Sequence, residues 1–293
     1  MKRRQFIFSA ALSVTAMSTF GFIRFDGEKY VGDCATTSDI LGPFYRPESP
    51  LRSSFHIAGE NGKKVELSGK ILHQDCTTPY KNAKVELWHC DAAGIYDNST
   101  SDFRYRGTVI TDNDGNYSFQ TILPVSYNAG GGLIRPAHFH IMVTAEGYQS
   151  LVTQLYFQGG KNVASDPWAS RSSNRVLEVK ELTNSGTSQV IYNVGMAPKL
   201  AVEPASLKKL VGLYQNESNP KGTLELFEYE NNLWVKNEAF GNQFSYLGNN
   251  VFENPNHPEG MKVFLKFEFP ASGAIQVSIG REDSTPNTFI KQS

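Results

Sequence analysis

Apolar and polar residues alternate with period two in stretch after stretch of this 293-residue chain, and Gly, Pro, Asn and Asp punctuate the stretches. Lys64-Val65-Glu66-Leu67-Ser68-Gly69-Lys70-Ile71-Leu72, Lys84-Val85-Glu86-Leu87-Trp88-His89 and Asn116-Tyr117-Ser118-Phe119-Gln120-Thr121-Ile122 all carry it. A pleated strand turns successive side chains to opposite faces, so this pattern suits a half-buried strand and does not suit a helix. Turn chemistry at Asp75 to Lys81 and at Asp112-Asn113-Asp114-Gly115 separates the strands at hairpin spacing. The expectation is an all-β fold whose main body is a β-sandwich.

The stretch Arg135-Pro136-Ala137-His138-Phe139-His140-Ile141-Met142-Val143 sharpens this reading. As a strand it places His138, His140 and Met142 on one face and Phe139, Ile141 and Val143 on the other. Side chains at i and i+2 stand side by side, so two imidazoles so spaced can meet at one metal ion. Two histidines bonded to their neighbours on a half-buried strand fit the same pattern. The pair alone leaves both readings open.

Formal net charge is −1 and no long basic run is present, so nucleic acid and acidic surfaces are not indicated as partners. The start of the chain, with Lys2, Arg3 and Arg4 ahead of an apolar run to about Ile23, has the layout of an export signal. Arg3-Arg4 with Phe6 resembles a twin-arginine signal, although Lys2 stands where Ser or Thr is more usual. Val14-Thr15-Ala16 is a poor cleavage site. The expected location is extracytoplasmic, with contact to a membrane only through this segment if it is not cleaved. Cys34, Cys76 and Cys90 lack zinc-site spacing. In an oxidising compartment two can pair, and Cys34 with Cys76 is the preferred pair because Cys90 lies beside the candidate chemistry.

Four separated motifs line up in order: Trp88-His89-Cys90-Asp91-Ala92-Ala93-Gly94-Ile95-Tyr96, Tyr105-Arg106-Gly107, Pro124-Val125-Ser126-Tyr127 and Arg135-Pro136-Ala137-His138-Phe139-His140. With Gly42-Pro43-Phe44-Tyr45 before them and Thr153-Gln154-Leu155-Tyr156-Phe157 after, the segment from about Leu41 to Phe157 resembles the intradiol ring-cleavage dioxygenases, the protocatechuate and catechol dioxygenase family. The resemblance implies one Fe(III) per chain held by Tyr96, Tyr127, His138 and His140. Tyr127 and His140 would be axial, and Tyr96 and His138 would share the equatorial plane with a hydroxide. The donor types are chemically sensible, since a trivalent cation drives off phenol protons and phenolate is a hard donor suited to ferric iron. An Fe(II) oxygenase would use two histidines and a carboxylate.

The implied reaction is cleavage of a small aromatic diol by O2 between its hydroxylated carbons, giving a cis,cis-muconate-type diacid. By the same resemblance Tyr127 leaves the metal as the diol binds, Arg135 stabilises negative charge developing on the ring, and Gln154 holds an intermediate. Tyr45 either lines the pocket mouth or is a packed aromatic. His89 is not a ligand in this scheme, His56, His73 and His257 read as solvated, and Asp112 and Asp114 as turn formers. A non-catalytic β-sandwich binding module is the competing function. A zinc site is poorly supported because phenolate is an uncommon zinc ligand.

Two departures from the family pattern stand out. Asn128-Ala129-Gly130-Gly131-Gly132-Leu133-Ile134 makes a small, open wall before Arg135. Little chain precedes Tyr45 beyond the signal, so the helical dimerisation region of the catechol branch is not expected; oligomerisation stays open. The expected division is 1–30 signal and leader, 31–198 sandwich and 199–293 a second unit joined near Pro198. Arg175 to Val179 and Gln189 to Val194 read as closing strands. In the second unit a short helix starts near Pro204, and strands follow at 223–230, 232–236, 243–247, 261–269 and 274–279. With its Leu210-Val211-Gly212-Leu213-Tyr214 opening, this tail resembles the small lipocalin-like, antiparallel β-barrel domain appended to some beta-lactamase-like proteins. That implies a binding or stabilising module.

Overall fold

The computed structural model describes residues 22–25, 30–33 and 35–292 apart from 56, 58, 60, 172, 184–185, 230, 238–240, 256, 258–259, 272 and 282–283. Arg3-Arg4, the cleavage site, Cys34 and His56 lie outside them. No helix among the described residues is long and apolar enough to cross a membrane.

Strands β1 (Phe22–Phe25) and β2 (Tyr30–Asp33) pair with each other. The sandwich then begins with β3 (Lys64–Leu72), β4 (Lys84–Trp88), β5 (Arg106–Ile110) and β6 (Asn116–Ile122). A hairpin of two short strands, β7 (Tyr127–Asn128) and β8 (Ile134–Arg135), leads into β9 (His138–Thr144) and β10 (Leu151–Phe157). Beyond two 3-10 turns, Ala169–Arg171 and Ser173–Arg175, come β11 (Val176–Leu177), β12 (Lys180–Glu181), β13 (Ser188–Ile191) and β14 (Val194–Gly195).

One sheet has the order β11-β10-β9-β4-β5, and the other runs β12-β13-β3-β14 with β6 on the far side of β3. Parallel pairing of β13 and β14 with β3, and of β11 with β10, closes the sandwich. Between the sheets lie Val65, Leu67 and Ile71 of β3, Phe119 of β6, Val85 and Leu87 of β4, Phe139, Ile141 and Val143 of β9, and Leu155 of β10. Each such side chain is worth roughly 1.5–3 kcal/mol of transfer free energy before chain entropy is subtracted.

The other face of the β10-β9-β4 sheet is buried as well. Trp88 and Met142 there join Val152, with Leu41, Phe44, Tyr45, Tyr96, Val125 and Tyr127 laid over them by the lead-in and the loops. Every residue of β10 is buried, which is why its sequence shows no clean polar alternation. The candidate site residues Tyr96, Tyr127, His138 and His140 sit in this second layer, outside the sandwich core.

The second unit opens with α1 (Pro204–Leu210), with Pro at its start and Leu207 and Leu210 turned inward. Strands β15 (Gly212–Asn216), β16 (Thr223–Tyr229), β17 (Asn232–Lys236), β18 (Gly241–Gly248), β19 (Val251–Glu253), β20 (Val263–Glu268), β21 (Gln276–Arg281) and β22 (Asn287–Lys291) form a closed barrel. Its interior is filled by Leu224, Leu226, Leu233, Phe244, Phe252, Leu265 and Phe267 among others, as an eight-stranded barrel allows. Ser38 Oγ donates to the carbonyl of His257 at 2.8 Å across the two units.

Several sequence expectations need correction. Arg175 to Val179 is strand only at Val176–Leu177; Arg175 ends a 3-10 turn and is fully buried. The strand expected at Gln189 to Val194 breaks after Ile191. The strand expected at 261–269 runs only from Val263 to Glu268, and Phe269, past its end, is 54% exposed. Strands β15, β19 and β22 went unread because their pairing partners, not their short patterns, define them. His73 is not merely solvated: its Nδ1 is 2.6 Å from the Tyr148 hydroxyl and its ring packs on Tyr80. Cys76 is disulfide-bonded and Cys90 is a buried free thiol.

Candidate metal centre

His138 and His140 leave β9 on the face predicted for them, with His140 across from Trp88 of β4 and Gln154 of β10. The Trp88 indole lies parallel to the His140 ring at 4.8 Å. His138 Nδ1 donates to the Pro136 carbonyl at 2.7 Å, so its Nε2 is the bare nitrogen. Burial pushes the His138 pKa down to about 3, and burial with the neighbouring His138 and Arg135 pushes His140 well below the ordinary value. Both rings are therefore neutral near pH 7 and able to donate lone pairs.

The two Nε2 atoms are 3.1 Å apart, and His140 Nδ1 is buried without a partner. Two nitrogens bound at right angles about 2.1 Å from one ion would lie about 3.0 Å apart, so this spacing fits adjacent ligands. The Tyr96 hydroxyl is 3.4 Å from His138 Nε2. Tyr127 brings its ring within 5.5 Å of Tyr96 and 5.8 Å of His138. Burial raises both phenol pKa values, that of Tyr96 most, so a strong local cation is needed to ionise them at neutral pH. Among the described residues no three His, Cys, Asp or Glu side chains cluster. The converging donors are two imidazoles and two phenols, unlike a two-histidine, one-carboxylate site.

Local sequence explains how the tyrosines arrive. Asp91 Oδ1 accepts from the N–H groups of Ala93 and Ile95, tightening the turn that presents Tyr96. Gly94 in that turn has φ +81°, and a Cβ there would sit 3.0 Å from Tyr127 Cβ, so a larger residue would be strained and crowded at once. Tyr96 is 7% exposed and stacks on Phe44 at 4.4 Å. Arg106 braces both flanks, donating to the carbonyls of Asp97 at 2.8 Å and Phe44 at 2.6 Å. Tyr127 is only half-buried, on a two-residue strand that turns back through Gly130, Gly131 and Gly132, all at positive φ with open space around them.

Arg135 pairs with Tyr127 across the same hairpin and is 4% exposed. Its Nε donates to Asp166 Oδ2 at 2.7 Å, and its Nη2 donates to Gln154 Oε1 at 2.7 Å and to the Tyr156 hydroxyl at 3.2 Å. Gln154 is tied at its other end too, donating from Nε2 to the Ile40 carbonyl, so its amide is fixed between Ile40 and Arg135. Tyr156 donates to Asp39 Oδ2 at 3.1 Å, and Asp39 pairs with the buried Arg175 at 2.5 Å. Tyr45 packs edge-on against Trp88 and reaches Glu86 at 3.5 Å; burial and Glu86 push its pKa up to about 12. His89 stays on the core side, bonded to the Cys90 carbonyl and Thr121.

Asp39, Tyr156, Asp166, Trp168 and Arg175 were not singled out from sequence. Tyr156 was readable, since it shares a face of β10 with Gln154 by the same period of two that joins His138 to His140. The others come from irregular segments whose positions depend on distant contacts.

The dioxygenase family model matches residues 40–198, more than half of the chain. The chain belongs to the intradiol dioxygenase family. A catechol 1,2-dioxygenase of Candida albicans is 37% identical over 142 residues, 41% of this chain and 46% of the relative. A chlorocatechol 1,2-dioxygenase of Rhodococcus opacus is 33% identical over 174 residues, 52% of this chain and 67% of the relative. The solved 3-chlorocatechol 1,2-dioxygenase of Rhodococcus opacus superposes with a TM-score of 0.50 at 26% identity, covering 56% of this chain and 72% of that one. The matches thus span about half to two thirds of these curated relatives.

Proposed function

We propose that this family member is a mononuclear non-haem Fe(III) enzyme that opens the ring of a catechol-type diol with O2 between the hydroxylated carbons, giving a cis,cis-muconate-type diacid. The observation that carries this reading is the convergence of two neutral imidazoles, one buried phenol and one half-buried phenol beside one buried arginine. Tyr96, Tyr127, His138 and His140 would hold the iron. Bound Fe(III) would supply the Lewis acidity that ionises the phenols and the diol and primes the ring for O2.

The protein's own contributions follow from packing. Tyr96, stacked on Phe44 and braced through Arg106, is the phenolate that stays. Tyr127, half-buried beside the open glycine turn, is the one with room to swing away, and its phenolate oxygen takes a proton from the incoming diol. Arg135 Nη1 has no partner among the described residues and is the donor left to meet negative charge on the substrate. Trp88, Phe44 and Val125 exclude water from the site, which strengthens these charge interactions.

Oxygen uptake by iron-loaded protein against catechol, protocatechuate, hydroxyquinol and substituted catechols tests the reading. Stoichiometric uptake with a ring-opened diacid is expected; coloured, iron-loaded protein that consumes no oxygen with any of them would leave a binding module instead.

Export through the twin-arginine route is part of the same proposal, and the disulfide at Cys76 supports an oxidising compartment. Replacing Arg3 and Arg4 with Lys should hold the precursor in the cytoplasm, and undiminished export would remove this part.

A further inference from the structure

We propose that Asp166 and Trp168 are positioning residues for Arg135, which together decide which guanidinium nitrogen faces a bound catechol; this rests on the dioxygenase reading above. Asp166 is 1% exposed, in the irregular segment just before the 3-10 turn at Ala169–Arg171. Its Oδ1 accepts from the backbone N–H groups of Trp168 at 3.0 Å and Ala169 at 2.8 Å, which fixes the carboxylate. Its Oδ2 is thereby aimed at Arg135 Nε, 2.7 Å away. The turn that Asp166 organises also places the Trp168 ring beneath Arg135, whose Cζ lies over the ring face 4.5 Å from its centroid.

An arginine side chain is long, and its fork can present either Nη1 or Nη2 to a pocket. A charge-assisted bond at Nε together with an aromatic face against the guanidinium removes that freedom. With Nη2 taken by Gln154 and Tyr156, Nη1 is the nitrogen without a protein partner among the described residues. Asn at 166 would not do the same work. It has one acceptor oxygen for both the backbone pair and Nε–H, and its NH2 would meet a donor.

The test is a pair of mutant cycles in the iron-loaded full chain, combining Asp166→Asn or Trp168→Leu with Arg135→Leu. Asp166→Asn should lower kcat about 10²-fold, as a misplaced catalytic group does, with iron content and anaerobic catechol affinity held within about 3-fold. Trp168→Leu should lower kcat about 5-fold. In the Arg135→Leu background neither should cost more than about 2-fold, because the group they position is gone. Equal losses in both backgrounds would make the two residues structural only and overturn the proposal. If Asp166→Asn does not fold, the Trp168→Leu cycle decides in the same way.

Hydrogen exchange at the Arg135 Nε–H, read by nitrogen-edited NMR in gallium-loaded protein, separates this inference from the enzyme assignment. It should be at least about 10-fold faster in Asp166→Asn than in wild type. Unchanged exchange overturns the clamp even in an active dioxygenase. A clear exchange difference in a protein that turns over no catechol keeps the clamp and sinks the reaction.

Discussion

The sandwich and the barrel are built from the same alternating strands and use burial for different ends. The barrel interior is Leu, Phe and Val with Tyr214, whose hydroxyl is satisfied by the Leu210 carbonyl. Its ion pairs, such as Lys236 with Glu225 and Lys266 with Glu268, stay in solvent, where such pairs contribute little. The sandwich has a core of the same kind and then buries a second layer holding Asp39, Arg135, His138, His140, Asp166 and Arg175. Buried charges are costly to desolvate and are tolerated when each is bonded into place. The barrel's interior is thus filled by apolar packing, whereas the sandwich gives up some stability to hold a set of polar groups in one geometry.

The sharpest way to break this contrast is to remove groups from the second layer. His138→Ala should abolish tight iron binding and the visible colour, and Arg135→Leu should keep the colour while kcat falls about 10²–10³-fold, as loss of a preorganised donor does. Tyr127→Phe should retain iron with weakened colour and slow turnover. Absorption spectra and oxygen uptake check all three; full activity in Tyr127→Phe and Arg135→Leu would leave the layer without a catalytic role.

A barrel-core substitution asks whether the two units are energetically separate. Leu265, fully buried between Phe252 and Phe267, should cost about 2–5 kcal/mol when changed to Ala, by lost transfer energy and a residual cavity. Calorimetry should show the loss in the barrel transition, with the iron spectrum unchanged. A chain ending at Lys199 is the limiting case and should stay folded and bind iron. If either change strips the metal, the barrel belongs to the catalytic fold.

Acid gives the smallest contrast. Burial lowers the His89 pKa from 6.5 to about 4, so in the window between these values the unfolded chain binds a proton that the folded chain does not. The His89 contribution to sandwich stability is fully present above pH 6.5 and should fall by about 1.4 kcal/mol per pH unit as pH drops toward 4, in addition to the losses from His138 and His140, whose pKa values are also lowered by burial. The barrel buries no histidine among the described residues and should not show this slope. Melting curves followed through Trp88 and Trp168 on one side and Trp234 on the other would report it; parallel shifts of both transitions would contradict the assignment.

Much of the strand pattern was legible in the sequence, and so were the four side chains, Tyr96, Tyr127, His138 and His140, that the fold brings together. Period-two alternation is a property of the pleat itself, so β3 and β6 could be bounded to the residue, and His138 and His140 could be put on one face. The motif order that carried the family resemblance also named Tyr96, Tyr127, Arg135 and Gln154. Long-range pairing was not legible. The contacts of Gln154 are an example: its Oε1 accepts from Arg135, and its Nε2 donates to the carbonyl of Ile40, 114 residues away in sequence. Arg175 reads as the start of an ordinary strand until Asp39 is brought against it, and barrel closure by β15 and β22 joins the two ends of the unit.

The sequence alone therefore determined the local geometry and the chemical kinds of group available, because strand pleat, turn residues and donor types act within a few positions of each other. Only the tertiary structure decided that the far face of one sheet would be covered, that Asp166 and Trp168 would close on Arg135, and that Tyr96 would be buried and Tyr127 half-buried. Those outcomes depend on sheet order and loop packing between residues tens of positions apart, and no short-range pattern encodes which of many compatible partners meet.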